Sequence, residues 1–386
     1  MQKGKRVIYL FLILGISWLI TGCWDRKELE GRAIVTLIAL DKGENNDIKF
    51  SVRVVRTSDS QESGTGGSSG SERASVIMSS TGDTVFDAIR NLVLKSGRKL
   101  YYPHNTAIIF GNEIAREGIL PILDVFNRDA EMHPLTWVLV TPGEAADILE
   151  AQPTLESLSA KQLDMMLNDF GATSKTVATN LLDTMKQLAY DSPGVVLSNI
   201  ELDPNNPRKA LLLNGAAVFQ RDKLIGRLDP LETRGYLWSQ GKVESGVITF
   251  PCPGEENKKV SMEIKRANRK IESDISDGQL KFTITINVES RLAEQACLTD
   301  LGNPEKLMEL KKSQCEVIEK EIRSIVDKAQ EKYSTDILGF GTELSRKFPQ
   351  EWQNIKENWA EEFPKAEVDI VVNSKIFDIG LIKQPL

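Results

Sequence analysis

Histidine and cysteine are the scarcest chemistry-bearing residues of this chain: its 386 residues include two histidines and four cysteines. His104 and His133 have no carboxylate pattern around them and no H-E-x-x-H, which excludes a zinc-hydrolase reading. Both are expected to serve as structural hydrogen-bonding groups. A Ser-His-Asp triad would have to use one of them. The G-x-S-x-G match at 66–70 has neither a strand before it nor a helix after it, so it does not supply the serine. No C-x-x-C occurs, which removes dithiol redox chemistry. Neither G-x-x-x-x-G-K-[ST] nor a G-x-G-x-x-G at a strand–helix junction is present, so nothing is set up to cradle phosphate. The acidic stretch 43–47 lacks the D-x-[DN]-x-[DN]-G spacing of a calcium loop. A formal charge of −7 argues against nucleic acid as the main partner, and against a polybasic patch as the source of membrane attachment. No catalytic residue, metal or cofactor is expected, and the chain reads as a non-enzyme.

A hydrophobic run of membrane-spanning length (~20 residues) is missing too, but a shorter one stands near the start. Lys3, Lys5 and Arg6 precede the apolar stretch 7–20, which has the length of a signal-peptide core. It ends in Ile20-Thr21-Gly22-Cys23, two small residues and then a thiol, which is a lipobox. Cleavage after residue 22 makes Cys23 the first mature residue, S-diacylglycerylated whether or not its new amine is acylated as well. Two acyl chains at ~0.8 kcal/mol per buried CH₂ hold a protein on a membrane stably, where one does not. Of the remaining cysteines, Cys315 falls in the apolar stripe of an expected helix and should be a buried free thiol. Cys252 and Cys297 can pair across a sheet or stay free; sequence leaves both open.

Periodicity gives an α/β (α+β) chain of several domains, with mixed sheets packed against helices. Strands at 33–41 and 48–56 flank a turn at 43–47, and a Ser/Gly-rich loop fills 58–72. Then come a strand at 74–80, a helix capped by Asp83, a strand at 106–110 and a helix at 113–126. A strand at 135–141 and a helix at 142–149, opened by Pro142, follow. A helical segment spans 152–190. Residues 192–206, rich in proline and asparagine, make the best boundary, dividing the mature chain into 23–200 and 207–386. The second part is β-rich: strands at 210–220, 223–228, 246–251, 260–271 and 279–290, with a short helix at 231–239. A helix from Pro304, capped by Asn303, runs to about residue 333 with Leu310, Ile318, Ile322 and Ile325 on one stripe. The basic stretch 258–270 reads as a charge-protected strand edge or, less simply, as a face for anionic lipid. Trp352, Ile355, Trp359 and Phe363 form an aromatic stripe that either docks on its own sheet or enters a partner groove. A last strand runs over 367–377. The charged segment 24–32 is either a spacer or a contact to a membrane partner.

Several segments in order resemble the Ger(x)C lipoproteins, the C subunits of spore germinant receptors. They are Gly22-Cys23-Trp24-Asp25-Arg26-Lys27-Glu28-Leu29, His104 to Gly111, Ala115-Arg116-Glu117-Gly118-Ile119 and Arg128-Asp129-Ala130-Glu131. Gly215-Ala216-Ala217-Val218-Phe219 and Asp336 to Gly341 with Lys347-Phe348-Pro349 continue the series. The resemblance covers essentially the whole mature chain. It implies a three-domain lipoprotein on the outer face of the spore inner membrane. It also implies two integral membrane partners, the A-type and B-type subunits, and a role in nutrient-triggered germination. The long 58–72 tract departs from the family pattern. A lipid-anchored solute-binding protein of an importer remains the alternative; it would need two repeated βαβ lobes around a cleft.

Overall fold

The structure, a computed structural model, describes residues 32–55, 75–128, 131–189, 194–276 and 278–378. The lipobox with Cys23, residues 24–31 and the 58–72 tract therefore lie outside the described residues.

Two sheets organise the chain. The first contains β1 (Arg32–Lys42), β2 (Ile48–Val55), β3 (Ser75–Gly82), β4 (Lys99–Tyr101), β5 (Ala107–Phe110), β6 (Trp137–Val140), β7 (Gly194–Leu202), β8 (Leu211–Gln220) and β9 (Lys223–Leu228). Its order is β3-β2-β1-β5-β6-β7-β8-β9, with β4 lying beside the start of β1. The centre, β1-β5-β6-β7, is parallel and both flanks are antiparallel. Strand β5 is buried throughout, as a parallel strand covered on both faces must be. On one face Ile38, Leu40, Ile108 and Phe110 pack with Leu92, Leu123 and Phe126. On the other, Leu37, Ile109 and Leu139 pack with Ile148, Leu163 and Leu167.

The second sheet is β10 (Gly246–Cys252), β11 (Glu255–Ser276), β12 (Gln279–Gln295) and β13 (Glu367–Asp378), in that order. In β12 alternate residues Leu280, Phe282, Ile284, Ile286 and Val288 turn inward. They meet the helix Pro304–Asp327, whose Leu310, Ile318, Ile322 and Ile325 are buried. Asn303 caps that helix, its side chain accepting from the Glu305 N–H at 2.9 Å, and Pro304 opens it. Val196 and Val218 of the first sheet join the same core through Leu237 and Trp238, so the two parts share apolar packing. The fold is mixed α/β with two sheets and several helices, as the periodicity indicates.

Several local expectations change. Helix 113–126 is two helices, Asn112–Glu117 and Leu120–Arg128, parted at Gly118 with φ 133°. There Ile119 donates its N–H to the Asp222 carbonyl, and Pro121 has no N–H for a continuous ladder. The 152–190 segment is also interrupted: between Ser159–Asn168 and Leu181–Ala189 the chain runs along the sheet, with Thr176 donating to the Gly215 carbonyl. Thr84, not Asp83, caps the helix Val85–Ser96. Pro142 precedes the short helix Ala145–Ile148 rather than opening it. The 192–206 stretch holds β7, which continues the first sheet into β8. Residues 260–264 lie between β10 and β12, so this part of β11 is interior, whereas 266–270, with Arg266, Arg269 and Lys270, pair with β12 and not with β10, as a charge-protected edge does. Cys315 is free but half-buried: it stands one residue past the buried Gln314.

Candidate functional site

In open α/β sheets ligands usually sit at the carboxyl ends of the parallel strands. Here that position is filled by the protein itself. Asp41, at the end of β1, is buried and accepts the Ala145 N–H at 2.6 Å and the Ala146 N–H at 2.9 Å. Its carboxylate thus takes the helix N-terminus that an anionic ligand would otherwise use. Burial holds the carboxyl above its ordinary range, with the two backbone donors opposing.

The amino-terminal ends of the same strands are different. A cavity of about 570 Å³ opens between the helices Val85–Ser96 and Leu120–Arg128 and strand β4. Its floor is apolar, from Ile89, Val93, Leu100 and Val125, and three cations line it: Arg90, Lys99 and Arg128. The Arg90 guanidinium lies over the Phe86 ring, 4.8 Å from its centroid. Lys99 pairs with Glu131 at 2.7 Å and Arg128 with Asp124 at 2.6 Å. In register with Lys99 stands Arg32, the first described residue, its guanidinium 4.5 Å from the Tyr101 ring centroid.

Both histidines belong to this end and both are exposed. His133 Nδ1 accepts the Leu135 N–H at 3.2 Å, and His104 meets the edge of Tyr101 at 5.9 Å. A turn-forming role therefore holds for His133. Among the described residues no group of three or more His, Cys, Asp or Glu side chains is arranged to hold a metal ion.

The aromatic stripe docks on its own sheet. Trp359 and Phe363 are buried, Phe340 stacks on Phe282 at 4.3 Å, and Trp359 Nε1 donates to Asp336 at 3.1 Å. Asp336 also accepts the N–H groups of Leu338, Gly339, Phe340 and Gly341. These contacts explain the Asp336 to Gly341 segment structurally. Cys252 and Cys297 are paired, with Cα atoms 6.3 Å apart, which settles the pairing left open above. Sequence reading did not single out Arg90 or Lys99 and met Arg128 only within a family-like segment: no motif links the three, and only folding brings two helices and a strand start together.

Two sheets with covering helices, and a helix N-terminus at the carboxyl end of β1 taken by Asp41, define a mixed α/β protein. A profile described as spore germination protein N-terminal domain matches residues 25–202, and one described as spore germination B3/GerAC like, C-terminal matches 214–380. The chain belongs to this family of spore germination proteins. It is 24% identical over 402 residues to Spore germination protein KC of Bacillus subtilis (strain 168), covering 99% of this chain and 98% of that protein. It is 27% identical to Spore germination protein A3 of the same organism, over 97% of this chain and 98% of the relative. The crystal structure of the GerBC protein has the same fold, with a TM-score of 0.59 and 18% identity over 88% of this chain and 96% of that one. None of these names carries an enzymatic activity.

Proposed function

We propose that this protein is the C-type subunit of a spore germinant receptor, a non-enzymatic lipoprotein acting with A-type and B-type integral membrane subunits. The observation that carries this reading is the pair of family profiles, which follow one another through residues 25–202 and 214–380. Processing removes residues 1–22, and acyl chains on Cys23 hold the body, 23–200 and 207–386, on the outer face of the spore inner membrane. The Cys252–Cys297 disulfide supports an extracytoplasmic place, since such bonds persist in oxidising compartments. Among the described residues no helix is long and apolar enough to cross a membrane. The importer reading loses ground: β10, β11 and β12 are antiparallel and do not form a second βαβ lobe.

The test is deletion of the gene in a spore former without a redundant receptor, scored on a panel of amino acids, sugars and nucleosides. Loss of the response to at least one nutrient, restored by the wild-type gene, is the expected result. An unchanged response across the panel would remove the proposal. Cys23→Ala should leave the chain out of the spore membrane fraction after a high-salt wash; retention of that variant through the wash would contradict the anchor.

A further inference from the structure

We propose that the amino-terminal end of the first sheet is a docking surface for anionic phospholipid, with one head group seated in the cavity of Arg90, Lys99 and Arg128. The first argument is where the chain outside the structure leads. Eight residues lie between Cys23 and Arg32, a reach of at most about 30 Å even fully extended. A globule of this length is ~50 Å across. Acyl chains on Cys23 therefore hold the start of β1 near the bilayer, and Lys99 stands beside Arg32 there.

The second argument is charge. The chain as a whole is acidic at −7, yet Arg32, Lys99 and Arg128 stand around this end and Arg90 lines the same cavity. Glu131 and Asp124 offset Lys99 and Arg128 in part. Among the described residues Arg90 faces the Phe86 ring and no carboxylate. The net charge that argued against a basic membrane patch is an average, and it conceals this local group. Basic side chains near an anionic leaflet are attracted within a Debye length, ~8 Å at physiological salt.

Apolar exposure is the third. Leu94 is 86% exposed on the last turn of the helix Val85–Ser96, and Leu135 is exposed as well. Cations around an apolar floor suit a lipid phosphate at the mouth with the glycerol and first methylenes below it. This inference rests on the Cys23 anchor for placing the surface, so the test removes that anchor and the two readings stand or fall separately.

The experiment uses the processed chain carrying Cys23→Ala, floated with vesicles of phosphatidylcholine alone or of three parts phosphatidylcholine to one part phosphatidylglycerol. Binding should appear on the anionic vesicles, be weak on the neutral ones and fall with added salt. Each cation is expected to contribute about five-fold in affinity. Arg90→Ala with Lys99→Ala should therefore weaken binding about 25-fold, while Lys258→Ala with Lys259→Ala, equal in charge on the second sheet, should leave it unchanged. Thermal melts of all three proteins establish that each is folded. Equal binding to both vesicles, no binding to either, or equal losses for the two double variants would overturn the proposal. Absence of vesicle binding with retention by an acidic membrane subunit would likewise overturn it, assigning the surface to protein.

Discussion

Single residues carry the clearest tests. Asp336 is buried and accepts five hydrogen bonds, four from successive backbone N–H groups and one from Trp359. An amide cannot replace it, because its NH₂ would face donors. Asp336→Asn should cost about 2–4 kcal/mol, read as a lower urea midpoint at constant slope. A change below about 0.5 kcal/mol would mean that those donors find other acceptors. Cys315 is the free thiol of the described residues, and burial pushes it above its ordinary value of 9.0. The thiolate is the reacting form, so a raised pKa leaves less of it at neutral pH. Alkylation with iodoacetamide should be slower than for an exposed cysteine at neutral pH and should accelerate as pH rises past 9.

At the scale of elements, the crossing of the helix Pro230–Gln240 over Pro304–Asp327 is the joint of the second core. Gly235 permits it: a Cβ there would stand 2.2 Å from the Glu321 carbonyl oxygen. The Arg234 guanidinium pairs with the Glu321 carboxylate across the crossing, its Nε at 2.9 Å, and Trp238 Nε1 donates to the same carboxylate. Gly235→Ala should force the helices apart and cost about 1–3 kcal/mol or more, seen as a drop in Tm. A Tm unchanged by that substitution would show that the crossing tolerates displacement. Elements whose partners are local were legible in the sequence. The alternation of β12 and the Asn303-Pro304 start need nothing beyond neighbouring residues. Elements decided by distant partners were not. Gly118 breaks its helix beside Asp222, and Asp41 caps Ala145 from 104 residues away. Gly118 and Pro121, three residues apart, were the missed local signal for that break. The cavity is illegible for the same reason, since its three cations come from elements that meet only in the fold.

Across the whole molecule, the Cys252–Cys297 bridge closes a long loop, 45 residues in sequence separation, that contains β11 and β12. Chain-entropy arguments give such a crosslink about 4 kcal/mol. Cys252→Ser with Cys297→Ser should lower stability by about 2–4 kcal/mol, while the first sheet, which holds neither cysteine, keeps its hydrogen-exchange protection at lower denaturant. Equal loss of protection in both sheets would mean that the shared core of Val196, Val218 and Trp238 couples them into one cooperative unit. The family was readable from residues near one another in the chain, whereas assembly is a property of surfaces that no single chain displays. The most direct measurement is therefore affinity isolation of the tagged protein from detergent-solubilised spore membranes, followed by mass spectrometry. The account predicts two polytopic membrane proteins isolated with it and an N-terminal peptide that begins at a diacylglycerylated Cys23. Recovery of the chain alone, with an unmodified thiol at that position, would contradict it.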